Sequence, residues 1–366
     1  MEEGAKRRIR VLVAAGGTGG HIIPALAVAR LLRERARDTA RPVIANEIIF
    51  LGTGRALEAR LITEFPLRTA PAAGLKGIRG ARLLRNLLLL PRSGMRVAAV
   101  LKEVRPDVVV GMGGYAAGPV MLIASLKKIP ALLIEPNALP GFTNRVLRPF
   151  VRIAAVGFEE AARFYGAKAR WTGHPVRKEF FEVPAKPHRA PFTVVVIGGS
   201  QGAHAINEAV AKSLPLLSSQ PLSFIHQTGE ADYNAVRAAY GSAGVAAEVH
   251  AFIEDVPAAF ARADLVVGRA GAMSVAEIAA AGRAALLVPF PGAADQHQMA
   301  NALAFERAGA ARVLPQADLT PERLAGEILD LLGNANRLRQ MEDRAKSLTR
   351  PGAAGEIADC VEELVR

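Results

Sequence analysis

Short apolar runs, each closed by glycine or a polar turn and followed by helical spacing, recur along this chain. Ile9–Ala15 is the first, followed by Gly16-Gly17-Thr18-Gly19-Gly20-His21 and helical spacing to about Arg35. Glu47–Leu51 and a helix over Arg55–Thr63 come next. Asp107–Val110 leads into Gly111-Met112-Gly113-Gly114-Tyr115 and a helix over Pro119–Leu126, and Ala131–Glu135 ends in Pro136-Asn137-Ala138. A segment rich in proline and charge opens at Gly173-His174-Pro175-Val176-Arg177 and runs through Pro191, where a linker and domain boundary are expected. The pattern then restarts at Phe192–Ile197 and continues with Leu222–Gln227, Val245–His250, Asp264–Gly268 and Ala284–Pro289. Helical spacing over Met273–Gly282 and Gln298–Gly309 follows the last two runs, and only helical patterns remain beyond Thr320. Strand, loop, helix in alternation predicts α/β structure with parallel sheets whose loops gather at one edge. The halves also answer each other: V-L-V-A-A-G-G-T-G-G-H in the first, V-V-V-I-G-G-S-Q-G-A-H in the second. Two Rossmann-like domains facing across a cleft are expected, over residues 1–176 and 177–350.

Composition narrows the class. At 366 residues, two domains of ordinary size are a better expectation than one core. Lys plus Arg number 46 against 34 Asp plus Glu, a formal net charge of +12, which calls for an acidic partner: nucleic acid, an anionic membrane or a highly phosphorylated substrate. Aromatic residues are only 5%, which argues against binding single-stranded nucleic acid by stacking. The charge is also concentrated. From Phe65 to Lys102 there is no acidic residue, yet Arg68, Lys76, Arg79, Arg82, Arg85, Arg92, Arg96 and Lys102 occur, with leucines at 83, 84 and 87–90 among them. That stretch predicts an amphipathic helix burying some leucines and turning its charge to an anionic membrane. No apolar run reaches the ~18–20 residues of a membrane-spanning helix. A single cysteine, Cys360, excludes an internal disulfide and suits a reducing compartment. The basic start Lys6-Arg7-Arg8 leads straight into a strand, so no signal peptide is expected.

The loops carry the candidate chemistry. Successive glycines let backbone approach a ligand, and a following helix aims free N–H groups at it. The first loop lacks the Gly-Lys-Ser/Thr end of a Walker A sequence, and no acidic residue closes a suitable second strand for dinucleotide binding. In the second half, a helix start beside Arg269 is followed by Glu277, Asp295, Gln298 and Asn301, groups suited to a phosphorylated sugar. There is no Asp-x-Asp, and the seven histidines do not cluster at ligand spacing, so no metal or cofactor is expected.

Taken in order, G-G-T-G-G-H, G-M-G-G-Y, G-H-P-V-R, G-G-S-Q-G-A, G-R-A-G-A-M-S-V-A-E and D-Q-H-Q-M-A-N-A resemble the MurG family over nearly the whole chain. These are bacterial N-acetylglucosaminyltransferases that convert lipid I to lipid II in peptidoglycan synthesis. The resemblance implies the GT-B architecture, with a membrane-bound acceptor on the first domain and UDP-N-acetylglucosamine mostly on the second. It also implies a last helix, within residues 353–366, crossing back to the first domain. Carried over by motif, the donor site comprises Thr18, Gly19, Gly20, Asn137, Arg177, Ser200, Ile253, Ala272, Met273, Ser274, Val275, Ala276, Glu277 and Gln298. The Ser200 loop, the helix from Ala272 and Arg177 would hold the pyrophosphate, Glu277 the ribose, the Ile253 backbone the uracil, and Gln298 with Asn137 the transferred sugar. His21 is the expected general base, with Glu135 as its rival. Family members often read His-Glu-Gln-Asn where this chain has Ile134-Glu135-Pro136-Asn137, so that second imidazole is missing here.

The implied reaction is inverting transfer to the 4-hydroxyl of the muramyl sugar, at the cytoplasmic face of the bacterial inner membrane by a peripheral enzyme, without nucleic acid. A UDP-N-acetylglucosamine 2-epimerase would share architecture and donor but turn over donor alone. A dinucleotide-dependent oxidoreductase would need the acidic ribose partner that the first loop lacks, and a membrane scaffold would leave six ordered loop motifs unexplained.

Overall fold

A computed structural model describes residues 7–17, 19–38, 41–71 and 81–366, with the side chains of 81–91, 115 and 294 outside that description. The chain divides into two compact units, Met1–Pro175 with Gly352–Arg366, and Val176–Pro351.

Unit 1 begins with β1 (Arg7–Ala14), α1 (Gly19–Arg35), β2 (Val43–Gly52), α2 (Ala56–Leu61), β3 (Leu67–Thr69) and α3 (Ala81–Val104). It continues with β4 (Val108–Gly111), α4 (Gly114–Leu126), β5 (Ala131–Glu135), α5 (Phe142–Leu147), β6 (Ile153–Val156), α6 (Glu159–Tyr165) and β7 (Ala169–Trp171). The strands form one parallel sheet in the order β3-β2-β1-β4-β5-β6-β7. Alternation along β1 explains why the strands read as nearly unbroken apolar runs: Val11 and Val13 face one core, Leu12 and Ala14 the other, so neither face meets water. Ile22, Ala25, Leu26 and Ala29 of α1 fill the first core, and Val97, Val100 and Leu101 of α3 with Val120 and Met121 of α4 fill the second.

Unit 2 holds α7 (Lys178–Phe181), β8 (Phe192–Ile197), α8 (His204–Leu217), β9 (Leu222–Gln227), α9 (Tyr233–Ala243), β10 (Ala246–His250) and α10 (Val256–Arg262). It goes on through β11 (Leu265–Gly268), α11 (Ala272–Ala281), β12 (Ala285–Leu287), α12 (His297–Arg307), β13 (Ala311–Val313), α13 (Pro321–Leu332) and α14 (Ala335–Ser347). Its parallel sheet has the order β10-β9-β8-β11-β12-β13. The last helix, α15 (Ala353–Glu363), belongs to unit 1, where Ile357, Ala358 and Val361 enter the α1 core. Arg35 fixes its polar side on Asp359 at 2.7 Å, and Arg41 on Glu362 at 3.0 Å.

Two expectations change. The proline-rich segment before β8 is no loose linker: the units divide at Pro175, and the segment is tied into unit 2. Asp264, buried at the foot of β11, needs partners, and the segment supplies them: His188 Nδ1 at 2.9 Å and the Lys186 ammonium, with the Thr193 N–H at 2.8 Å. His188 Nε2 also meets Glu342 at 3.2 Å. The second change is that α4 starts at Gly114, five residues before Pro119, so the expected second glycine loop is reduced to Met112 and Gly113. Among the described residues no helix is long and apolar enough to cross a membrane.

Candidate functional site

In each sheet, strand order reverses direction beside the first strand of its unit: between β1 and β4, and between β8 and β11. Loops leaving neighbouring strands diverge at such a point and open a crevice at the carboxyl edge. The glycine loops that follow β1 and β8 both start there.

In unit 1 two buried carboxylates shape this edge. Glu58 of α2 accepts from Gly17 N at 2.9 Å, Thr53 Oγ1 and N at 2.7 Å each, and Gly54 N at 2.8 Å. Burial raises its pKa, but the hydrogen bonds from Thr53, Gly17 and Gly54 outweigh it and hold the group below the ordinary carboxylate value. Glu135, at the end of β5, is fully buried and accepts from Asn137 N at 2.9 Å and Nδ2 at 3.2 Å, Gly141 N at 3.0 Å and Asn144 Nδ2 at 2.8 Å. Burial drives its pKa up against those bonds. Both oxygens are engaged, so Glu135 works as the strut of the loop carrying Asn137 and is poorly placed as a base. Gly113 has to be glycine: its φ is 79°, and a Cβ there would come within 2.6 Å of Asn144 Oδ1.

Gly19 and Gly20 are the first residues of α1, and His21 the third. The half-buried His21 ring lies with Nδ1 3.4 Å from Gly16 O, and a Cβ on Gly114 would stand 3.0 Å from its Cε1. Thr18 lies outside the described residues. His174, after β7, is buried, with Nδ1 3.2 Å from Pro175 O, and burial pushes its pKa down to about 4.

In unit 2 the Ser200 loop is exposed at its tip and closed by Gly202 N donating to Gly199 O at 2.9 Å. Gly202, at φ 75°, packs so closely on the Thr228 carbonyl that no Cβ fits. Gln227 ties the neighbouring loops, donating to Gly199 O at 2.7 Å and accepting from Ile253 N at 2.9 Å. The Ile253 N–H is therefore occupied, and its carbonyl is the group left for a ligand. At α11 the N-cap is Gly271, no side chain caps the helix, and its first turn holds no acidic residue. Val275 N closes on Gly271 O at 3.0 Å and is the first N–H of the helix to do so, leaving Ala272, Met273 and Ser274 with outward N–H groups. Ala276 and Glu277 sit half-buried one turn on, and burial pushes the Glu277 carboxyl up to about 7, with Arg177 pulling it the other way. No hydrogen bond or ion pair engages Glu277 among the described residues. Arg177 is exposed at the start of α7, its guanidinium 5.1 Å from the Phe180 ring centroid. Gln298 Oε1 accepts from Phe290 N at 2.9 Å, leaving its amide N–H groups.

Two residues that suited a phosphorylated sugar prove to serve the fold. Arg269 is buried, donates to Val288 O at 3.0 Å and stacks on Phe290. Asn301 is fully buried and donates to Ala270 O at 3.1 Å. Among the described residues, no three His, Cys, Asp or Glu side chains group so as to hold a metal ion.

Comparison with known proteins turns this geometry into a class. Residues 11–156 match the glycosyltransferase family 28 N-terminal domain, and residues 193–357 its C-terminal domain. The two parallel α/β units are those of a GT-B glycosyltransferase. A relative from Anaeromyxobacter sp. (strain Fw109-5), named UDP-N-acetylglucosamine–N-acetylmuramyl-(pentapeptide) pyrophosphoryl-undecaprenol N-acetylglucosamine transferase, is 45% identical over 98% of this chain and 94% of its own. The crystal structure of Acinetobacter baumannii MurG superposes with a TM-score of 0.81 at 32% identity, covering 97% of this chain and 99% of that one. The chain belongs to glycosyltransferase family 28 and, within it, to the MurG family. A UDP-N-acetylglucosamine 2-epimerase from Neisseria meningitidis, at TM-score 0.66 and 13% identity over 97% of this chain and all of its own, shares the fold alone.

Proposed function

We propose that this enzyme transfers N-acetylglucosamine from UDP-N-acetylglucosamine to the 4-hydroxyl of the muramyl sugar of lipid I, giving lipid II with inversion at the anomeric carbon. The observation that carries the donor site is Glu277: a half-buried carboxylate with no protein partner, one turn past a helix start whose first N–H groups are open. A carboxylate in that setting suits two ribose hydroxyls, and the open helix start suits the diphosphate beside them. Ser200 and Arg177 add to the diphosphate contacts, the Ile253 carbonyl receives the uracil N–H, and Gln298 and Asn137 hold the sugar. Gly19 and Gly20 bring backbone close to the transferred group, and Thr18 completes the motif in sequence.

In the reaction the acceptor oxygen attacks the anomeric carbon as the bond to the UDP oxygen breaks. The hydroxyl proton passes to His21, since imidazole is the side chain whose ordinary basicity suits proton transfer at neutral pH. The charge left on the diphosphate is met by fixed N–H dipoles and by Arg177. Glu135 is the weaker candidate for the base, because four N–H donors already occupy its carboxylate.

Unit 1 is the acceptor unit and docks on the cytoplasmic leaflet as a peripheral protein. What supports this is an array on adjoining helices. Met95 of α3, Leu122 and Leu126 of α4, and Phe142 and Val146 of α5 expose 67%, 38%, 72%, 50% and 53% of their surface. Arg92, Arg96, Lys127, Lys128, Arg148 and Arg152 are exposed around them. Residues 72–80 and the side chains of 81–91, which include Arg79, Arg82 and Arg85, lie outside the described residues.

Radiolabelled sugar transfer from the UDP donor to a lipid I analogue, beside a donor-only control, tests the proposal. Label is expected in the lipid product only with both substrates present. Donor converted alone would make the enzyme an epimerase.

A further inference from the structure

Beside the Ser200 loop of unit 2 runs a line of buried polar groups that the reaction just described leaves without a role. His226 of β9 and Asn207, one turn into α8, are both fully buried. The Asn207 amide places one atom 2.8 Å from the Thr228 carbonyl oxygen and 2.8 Å from a carboxylate oxygen of Asp232. Both partners only accept, so that atom is the NH2 nitrogen, and Oδ1 is the end turned to His226. His226 Nε2 stands 3.0 Å from Oδ1 and therefore carries the ring proton, which leaves Nδ1 to accept from the Tyr240 hydroxyl at 3.1 Å. Burial holds the His226 pKa down to about 3, so this neutral tautomer persists throughout the working range.

The carbonyl that Asn207 holds is the floor of the Ser200 loop. Gly202 closes onto Thr228 O with no room for a Cβ, and Gly229 lies just as close to the Gln201 carbonyl. The neighbouring Gln227 donates to Gly199 O at 2.7 Å. Glycines at 202 and 229 let two backbones touch without side chains between them, so a shift of Thr228 is passed to the loop directly.

We infer that His226 is a positioning residue for the donor diphosphate: its Nε2–H fixes the Asn207 amide, the amide fixes the Thr228 carbonyl, and the carbonyl sets where the Ser200 loop meets the phosphates. The inference rests on the reading of the Ser200 loop as a diphosphate contact. No proton is transferred along the line; each group keeps its role as donor or acceptor through turnover. Uridine carries no phosphate and should be indifferent to the line.

Inhibition constants of UDP and of uridine against the UDP donor, measured on the full-length enzyme with a lipid I analogue, test this. His226→Leu leaves Asn207 Oδ1 without its donor and should weaken UDP by ~5- to 30-fold, with uridine within about twofold of the parent. His226→Gln, whose amide N–H reaches the Nε2 position, should hold UDP within about threefold. In an Asn207→Ala background, His226→Leu should weaken UDP no further. Unchanged UDP inhibition in His226→Leu, equal weakening of UDP and uridine, or a full further loss in the Asn207→Ala background would overturn the inference. A parent enzyme that binds uridine as tightly as UDP would overturn the diphosphate reading too, so the two failures are told apart. Thermal melts establish that the variants fold. Should the Leu variant not fold, His226→Asn keeps a partner for Tyr240, has no donor at the Nε2 position, and carries the same expectation.

Discussion

Glu277→Gln separates what the fold wants at that position from what the donor wants. The carboxyl titrates at about 7 in the free enzyme against an ordinary 4.5, and desolvation is the larger cause. For an acid with a raised folded pKa, the folded state holds the proton more tightly than the unfolded chain between those two values. Stability is then highest below 4.5, falls as pH rises, and is flat again above about 7. The rise in pKa corresponds to ~3 kcal/mol, and solvent reaching a half-buried group reduces this to ~1–3 kcal/mol. Glutamine carries no charge and escapes the loss. The variant should therefore unfold like the parent at pH 4.5 and be ~1–3 kcal/mol more stable at pH 8. Donor use should move the other way. Replacing a charged acceptor of two ribose hydroxyls by an amide costs ~1.5–3 kcal/mol, or roughly 10- to 150-fold in kcat/KM for the UDP donor. Urea unfolding at both pH values, with steady-state kinetics at pH 8, reads both effects. A variant no more stable than the parent at pH 8, with donor kcat/KM unchanged, would mean that the carboxylate costs the fold nothing and would remove Glu277 from the ribose site.

His188→Ala should unfold unit 2 early: the ring is raised to about 9 first by its bond to Asp264 and then by Glu342. That stability is full below about 6.5 and lost as pH rises through 9, so the parent should lose ~2–3 kcal/mol over that window in urea melts while the variant, weaker at pH 6, stays flat. Glu58→Gln should loosen the first glycine loop, because an amide cannot accept from all five of its N–H and O–H partners; kcat should fall ~10-fold or more, and unaltered kcat would show that the loop holds itself. Replacing Arg79, Arg82 and Arg85 together by Ser should weaken sedimentation with anionic vesicles, each charge contributing ~1 kcal/mol, and spare transfer to a soluble acceptor. A triple variant that sediments like the parent would move the docking surface elsewhere.

The apolar runs made the sheets legible because a parallel strand buried on both faces carries little else. Ala131–Glu135, Phe192–Ile197 and Leu222–Gln227 fall where the runs end. The edge strands Leu67–Thr69, Ala169–Trp171 and Ala311–Val313 went unread, since three residues give periodicity too little to work with. The working groups divide by reach. A glycine loop or a helix start is local and is written in sequence. Whether a carboxylate faces ligand or interior depends on distant backbone, so Glu58, bonded to Gly17 from 41 residues away, gave no signal. For the same reason Arg269 and Asn301 looked like ligand groups, although each satisfies a carbonyl of the fold. His174 was legible as part of G-H-P-V-R, but its orphan nitrogen appears only once burial is known.

In the proposed reaction the sugar leaves UDP only for a lipid-linked hydroxyl. Enzyme, UDP-N-acetylglucosamine and a short-chain lipid I analogue can be followed together by proton NMR, which reads UDP release and the anomeric configuration of the product. One UDP should be released per disaccharide formed, with a β linkage to the muramyl 4-position and no donor turnover when the acceptor is left out. UDP release or sugar epimerisation at an equal rate without acceptor, or an α-linked product, would contradict it.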